Sequence, residues 1–228
     1  MKQKMKIVVL NPNSSEEMTH AIARSARKYA QNRFEVLAIT DNGAPEFIDY
    51  PEDVAKATKD MMQIIKDHEY IADAFVIACH CDPNVKLLRQ ISKKPVIGIG
   101  EASMRLAAML GARFSVITTD LHSVTQKYEL IHEYGLERYC ASVRVRDKSI
   151  EDEMEAYEQA ARKAIEEDLA EVIVLGCAGL CEMAEELTKR LKVPVLDGVV
   201  CGLILAEGMV NAGYRTSKVR FYAGKNDL

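Results

Sequence analysis

The sequence predicts an α/β protein of two similar halves, each built on a mainly parallel sheet, with a cleft between them. Three observations carry that expectation. Short apolar, β-favouring runs alternate with amphipathic helical stretches, the pattern of strand–helix–strand units. The pattern also repeats. Asp73-Ala74-Phe75-Val76-Ile77-Ala78-Cys79 is answered by Glu171-Val172-Ile173-Val174-Leu175-Gly176-Cys177, with an acidic residue six positions before the cysteine in both (79 − 73 and 177 − 171). Pro95-Val96 follows the first cysteine by 16 residues (95 − 79), and Pro194-Val195 follows the second by 17 (194 − 177). Finally, no Gly/Ser/Pro-rich linker interrupts the 228 residues, so the two halves are expected to be fused tightly.

The elements follow in order. Residues 6–10 read as a buried strand, followed by the turn Asn11-Pro12-Asn13-Ser14-Ser15. A helix over 16–30 has Ser14 or Ser15 as N-cap and acidic residues in its first turn. A strand at 34–39, a helix at 53–67, a strand at 74–78, a helix near 84–91 and a strand at 96–97 complete the first half. The second half opens with a helix over 101–110, for which Gly111 is the expected left-handed stop. A strand at 114–117 ends in Thr118-Thr119-Asp120 and is followed by a helix at 123–134. A strand at 142–145, a helix at 150–168, a strand at 172–175, a helix near 182–191 and a strand at 195–196 come next. The last helix spans 199–212 and closes at Gly213. Because the 101–110 helix leads into the first strand of the second half, symmetry sends the 199–212 helix back onto the first. The expected domains are therefore 1–98 plus 199–228, and 99–198.

Composition narrows the function. A 48% hydrophobic content is ample for a core, and a net charge of −4 leaves no electrostatic footprint for nucleic acid. Apolar runs are of strand length, too short to span a membrane. Residues 1–10 hold three lysines, but the apolar run is too short for a signal peptide. A cytoplasmic protein with reduced thiols is expected, its cysteines at 79, 81, 140, 177, 181 and 201.

Ligands of open parallel sheets gather at the carboxyl ends of strands. Four segments qualify: 11–15, 79–82, 118–120 and 177–179. Each combines small or polar residues with a following helix start, whose free N–H groups can hold an anion. Cys79 and Cys177 are the proposed chemical pair, one from each half; a pair of core cysteines is the plain alternative. A thiolate at a helix N-terminus is a competent base for a proton α to a carbonyl, and the backbone amides of His80 and Ala178 are placed to meet the enolate. Asn13, Ser14, His80, Thr118, Thr119, Ala178 and Gly179 are the candidate substrate-binding residues. Helix capping is the competing use for Asn13, Ser14 and the threonines, and an idle loop residue for His80. Glu101 and Asp197, each after a Pro-Val strand, read as helix caps. Cys79-His80-Cys81 invites a metal reading, but strand neighbours point to opposite faces and no second Cys/His pair follows at finger spacing. No metal or cofactor is expected. Gly98-Ile99-Gly100 lacks the dinucleotide-binding spacing, and no phosphate-binding loop signature occurs.

These motifs resemble a known family. Asn11-Pro12-Asn13-Ser14-Ser15, Val76-Ile77-Ala78-Cys79 with Asp82-Pro83 beyond, and Pro95-Val96-Ile97-Gly98-Ile99-Gly100-Glu101-Ala102 are similar to the hydantoin racemase branch of the aspartate/glutamate racemase superfamily. Leu175-Gly176-Cys177-Ala178-Gly179 and Pro194-Val195-Leu196-Asp197-Gly198 match in the same order, so the resemblance covers nearly the whole chain. It implies two pseudo-symmetric, flavodoxin-like half-domains around an active-site cleft. It also implies a cofactor-independent enzyme in which one cysteine removes the α-proton and the other returns one.

The implied substrates are 5-substituted hydantoins or a related cyclic ureide such as allantoin, and a homo-oligomer is expected. His80-Cys81 departs from the aromatic or small residue usual after the first cysteine, which points to a more polar pocket. Aspartate or glutamate racemisation, a maleate-isomerase-like reaction and a thiol redox sensor are the alternatives.

Overall fold

In the computed structural model, the described residues are 4–224; the terminal stretches 1–3 and 225–228 of the expected first domain lie outside them. The chain forms β1 (Lys6–Asn11), α1 (Glu16–Ala30), β2 (Glu35–Thr40), α2 (Pro51–His68), β3 (Ala74–Ile77), α3 (Val85–Ile91) and β4 (Val96–Gly98). There follow α4 (Ile99–Leu110), β5 (Phe114–Thr118), α5 (His122–Glu133), β6 (Cys140–Val145), α6 (Glu153–Glu167), β7 (Val172–Leu175), α7 (Ala184–Leu191), β8 (Val195–Leu196) and α8 (Gly198–Asn211). Two four-stranded sheets result, in the orders β2-β1-β3-β4 and β6-β5-β7-β8, and every pairing is parallel. The second sheet repeats the first with each strand number raised by four. The predicted α/β class and paired parallel sheets are what the chain adopts.

Parallel sheets need helices on both faces, and here the central strands are apolar throughout because neither face meets water. Val8 and Leu10 of β1 pack with Ala57, Met61 and Ile65 of α2, while Ile7 and Val9 pack with Ile22 and Ala26 of α1. In the second half, Ile173 and Leu175 of β7 meet α6 and α7, while Val172 and Val174 meet α4 and α5. Burying a side chain such as Ile7 or Leu10 is worth roughly 1.5–3 kcal/mol, so the alternating faces of each strand lock its register.

Helix α4 serves both halves. Its Ile99 and Ala102 join the first core, whereas Met104 and Ala107 join the second. Helix α8 returns to the first sheet, placing Val199, Cys201, Leu203 and Ala206 in the core beside Val76. Gly202 allows that approach: a Cβ there would fall 2.8 Å from Val76 Cγ1. Beyond α8, Gly213 takes the left-handed conformation (φ 75°), and Thr216 binds the Lys93 and Lys94 carbonyls.

Helix ends follow their chemistry, with one open choice settled and two expectations corrected. Ser15, not Ser14, caps α1 by accepting from the Met18 amide at 3.2 Å. Gly111 is extended (φ −152°), not left-handed. A Cβ at Gly111 would lie 2.9 Å from Val172 Cγ2, so close approach to β7 is the reason for glycine. Glu101 lies within α4, paired with Arg89 and Arg105 at 2.8 Å each, and does not cap it. Asp197 does cap α8, accepting from the Val199 amide at 2.7 Å. The helix expected near 182–191 is divided into a 3-10 turn, Ala178–Met183, and α7. The divided start brings Ala178 and Cys181 into the first-half core.

Candidate functional site

Strand register assembles the site. Leu10 pairs with Ile77, which sets the 11–15 turn beside Cys79; Ile117 pairs with Leu175, which sets Thr118-Thr119 beside Cys177. The four strand ends open into one cavity between the halves. Cys79 and Cys177 both line it, and so do Asn13, His80, Thr118, Thr119 and Ala178. Ser14 does not; its amide is bound to the Pro45 carbonyl at 3.0 Å. Gly179 is absent from the lining as well, but it stands against the sulfur: a Cβ there would be 3.8 Å from Cys177 Sγ.

The two thiols sit in similar backbone settings and opposite electrostatic ones. Each sulfur faces the amide two residues on, Cys81 for Cys79 and Gly179 for Cys177, rather than the amides of His80 and Ala178. Cys79 also meets the Cys81 thiol, Sγ to Sγ at 3.3 Å. That hydrogen bond, aided by the Cys81 amide and the Lys127 charge, outweighs burial and holds Cys79 below the ordinary thiol range. Cys81, the donor, is pushed well above it by the same bond and by burial. Burial raises Cys177 too, opposed only in part by the Gly179 amide and Lys127. Of the two thiols, Cys79 is the one more easily deprotonated.

Polar neighbours hold the frame. Asn13 Oδ1 accepts from Asn11 Nδ2 at 2.7 Å and from the Ser15 amide at 3.0 Å, while its own Nδ2 reaches Met18 Sδ at 3.3 Å. Thr118 Oγ1 pairs with Ser123 Oγ at 2.6 Å. His80 is 1% exposed, and its Nε2 lies 3.2 Å from Ser103 Oγ. Burial keeps the imidazole neutral by pulling its pKa well down. Cys79-His80-Cys81 therefore sends its thiols and its imidazole to different partners. Among the described residues, no group of three His, Cys, Asp or Glu side chains is arranged to hold a metal ion.

Asp82 anchors the loop that carries Cys79. Its carboxylate accepts from the Gly100 amide at 2.8 Å, the Glu101 amide at 2.6 Å and the Tyr134 hydroxyl at 2.7 Å. It thereby caps α4, the role expected of Glu101. Gly98 and Gly100 exist for it: a Cβ on Gly98 would fall 2.3 Å from the Asp82 carboxyl carbon. At the mouth, His122 stacks on Tyr50 (centroids 5.1 Å apart) and lies 3.8 Å from the Asp49 carboxylate. These contacts join the β2–α2 loop of the first half to α5 of the second.

Lys127 is one of the cavity-lining residues that sequence reasoning missed, with Phe47, Asp49, Ser123 and Gln126. It is 3% exposed and lines the cavity from α5. The signal was present: Ser123, Lys127, Leu130 and Ile131 form the buried stripe of α5 at i, i+4, i+7 and i+8. A lysine in such a stripe must have a reason to be there.

With the geometry in view, the comparisons with known proteins are decisive. The family model for Asp/Glu/Hydantoin racemase matches residues 7–206. The chain belongs to that family. It is similar to the hydantoin racemase of Pseudomonas sp. (strain NS671), 38% identical over 96% of this chain and 91% of the relative. The hydantoin racemase of Rhizobium meliloti is 39% identical over 96% and 94%. Among solved structures, allantoin racemase from Klebsiella pneumoniae superposes with a TM-score of 0.91 at 35% identity, covering 96% of this chain and 93% of that one. The protein is accordingly an isomerase, a racemase of this family, and the expected fold and family both hold.

Proposed function

We propose that this racemase interconverts the enantiomers of 5-substituted hydantoins or of a related cyclic ureide such as allantoin, without a cofactor, by two-base proton transfer between Cys79 and Cys177. The single observation that supports it most is the pair itself: two thiols at equivalent strand ends, one per half, lining one cavity and biased toward opposite protonation states. The Cys79 thiolate removes the proton from the ring carbon, breaking C–H and forming S–H. The electron pair passes to the adjacent carbonyl as an enolate, which the backbone amides of His80 and Ala178 meet. Cys177 then gives its S–H proton to the opposite face of the same carbon. The enzyme is left with its charge on Cys177, ready for the reverse direction.

Asn13, Thr118, Thr119 and Ala178 border the space that the ring would fill, with Gly179 holding the Cys177 sulfur. Ser14 acts through the turn rather than on the substrate. Exposed apolar side chains on α4 and α8, Met109, Leu110 and Ile204, support a homo-oligomer, testable by light scattering.

The test is loss of optical rotation together with solvent deuterium incorporation for hydantoins, allantoin, aspartate and glutamate. Cyclic ureides are expected to turn over and the free amino acids not to. Cys79→Ser and Cys177→Ser should each lower racemisation by at least 1,000-fold, because a hydroxyl is far too weak an acid to supply the base form near neutral pH. Near-full turnover by either variant, with both enantiomers, defeats the two-base assignment.

A further inference from the structure

Proton transfer between two thiols moves a negative charge from one sulfur to the substrate and on to the other sulfur. A fixed cation within reach of both sulfurs would stabilise that charge at every stage, and Lys127 is the residue so placed. It is almost wholly buried, on the face of α5 turned toward the cavity lined by Cys79 and Cys177. Among the described residues its ammonium makes no hydrogen bond and no ion pair. The chain of Lys127 is packed away while its ammonium opens onto the cavity with no carboxylate against it, so the cavity wall carries an unclaimed cation with room for an anion.

Nearby carboxylates do not supply that anion. Asp82 is engaged by two amides and the Tyr134 hydroxyl, and Asp49 is half exposed at the mouth beside His122. The groups that face the lysine are Cys79, His80 and Cys81 from the end of β3 and Cys177 from the end of β7. His80 is neutral and Cys81 holds its proton. The thiolates remain.

We propose that Lys127 is the permanent counterion of this site, pairing the Cys79 thiolate before proton transfer, the enolate oxygen of the substrate during it, and the Cys177 thiolate after it. The lysine bears on the charge of both sulfurs, lowering each. That symmetry suits a racemase, in which neither direction can be favoured and one cation must serve both. The inference rests on the two-cysteine reading of the site.

Two variants test it, Lys127→Met, which keeps the length and removes the charge, and Lys127→Arg, which keeps the charge. The pH dependence of iodoacetamide alkylation at Cys79, followed by peptide mass mapping in the free enzyme, reads the resting thiolate without any substrate. The Met variant should move that profile upward by about one pH step. It should also lower kcat by about 100-fold or more in both directions, the range for losing an oxyanion partner, with KM little changed. The Arg variant should recover the alkylation profile and part of kcat. An unshifted profile with kcat within threefold of the parent overturns the proposal. A rise in KM alone also overturns it, since the lysine would then be binding a charged substituent of the substrate. Failure of the underlying reading looks different: turnover would survive Cys79→Ser or Cys177→Ser, whereas failure of the counterion alone leaves both of those variants inactive.

Discussion

At the scale of single residues, the difference between Cys79 and Cys177 is made by their neighbours. Both are half-buried strand-end thiols with a facing amide, and desolvation alone would raise both. The Cys81 thiol 3.3 Å away reverses the outcome for Cys79. The pH profile follows from this with a definite sign. On the proposed two-base mechanism activity requires Cys79 deprotonated and Cys177 protonated, so kcat/KM should rise with pH through a value below 9.0 and fall through one above it. Cys81→Ala removes the donor and should move the acid limb upward, leaving the alkaline limb nearly in place. Rates measured from pH 5 to 11 check it, and an unmoved acid limb would show that Cys81 has no part in setting the base. The cysteines themselves were legible in the sequence because each ends a local strand pattern. Which of them is the more acidic was not, since that depends on the Cys81 thiol being folded against Cys79 and on no such donor reaching Cys177.

At the scale of elements, the loops after β3 and β4 act as one unit. Asp82 carries the loop of Cys79 and caps α4, so the position of the base is tied to the helix shared by both halves. The unit needs glycine at 98. Gly98→Ala would thrust a methyl into the Asp82 carboxylate, and we expect a loss of about 1–3 kcal/mol of stability from the forced displacement. Racemisation should fall with it, because the Cys79 loop must move as well. Thermal unfolding and steady-state kinetics on the same preparation test both, and an unaltered melt would mean the carboxylate moves aside freely. Gly98-Ile99-Gly100 was recognisable in the sequence only as a spacing that fails for dinucleotides. Its purpose appears when residue 82 folds back against residues 98–101, a contact that no local period announces. Gly111 makes the same point: a helix-stop glycine by position, it is in fact a surface against which β7 packs.

At the scale of the whole molecule, buried carboxylates set the response of stability to pH. Burial pushes Asp82 and Asp197 up to about 6 from 3.8. A carboxyl that binds its proton more tightly folded than unfolded destabilises the fold when ionised. Each of these two therefore costs up to about 3 kcal/mol at neutral pH, and that loss is recovered as pH falls from 7 toward 4. Asp168 works in the opposite sense. Arg144 holds it below the usual range, and its contribution disappears on further acidification. Through these groups stability should therefore rise as pH falls from 7 to about 4 and decline only on further acidification. Urea unfolding at pH 4, 5, 6 and 7 measures it, and Asp197→Asn should flatten the decline between pH 5 and 7. A steady rise from pH 4 to 7 would contradict the assignment.

By itself, the sequence determined the α/β class, the order of the strands and helices, the return of the last helix, and the equivalence of residues 79 and 177. All of these follow from local signals: alternation of apolar runs, helix starts and stops, and a repeat that can be read along the chain. Packing decided the rest. Lys127, Cys81 and Asp82 acquire their roles by meeting groups from other elements, or the other half, in a space closed to water. Charge and acidity there depend on distance and desolvation, which are fixed when two sheets and a shared helix come together and have no period in the sequence to reveal them.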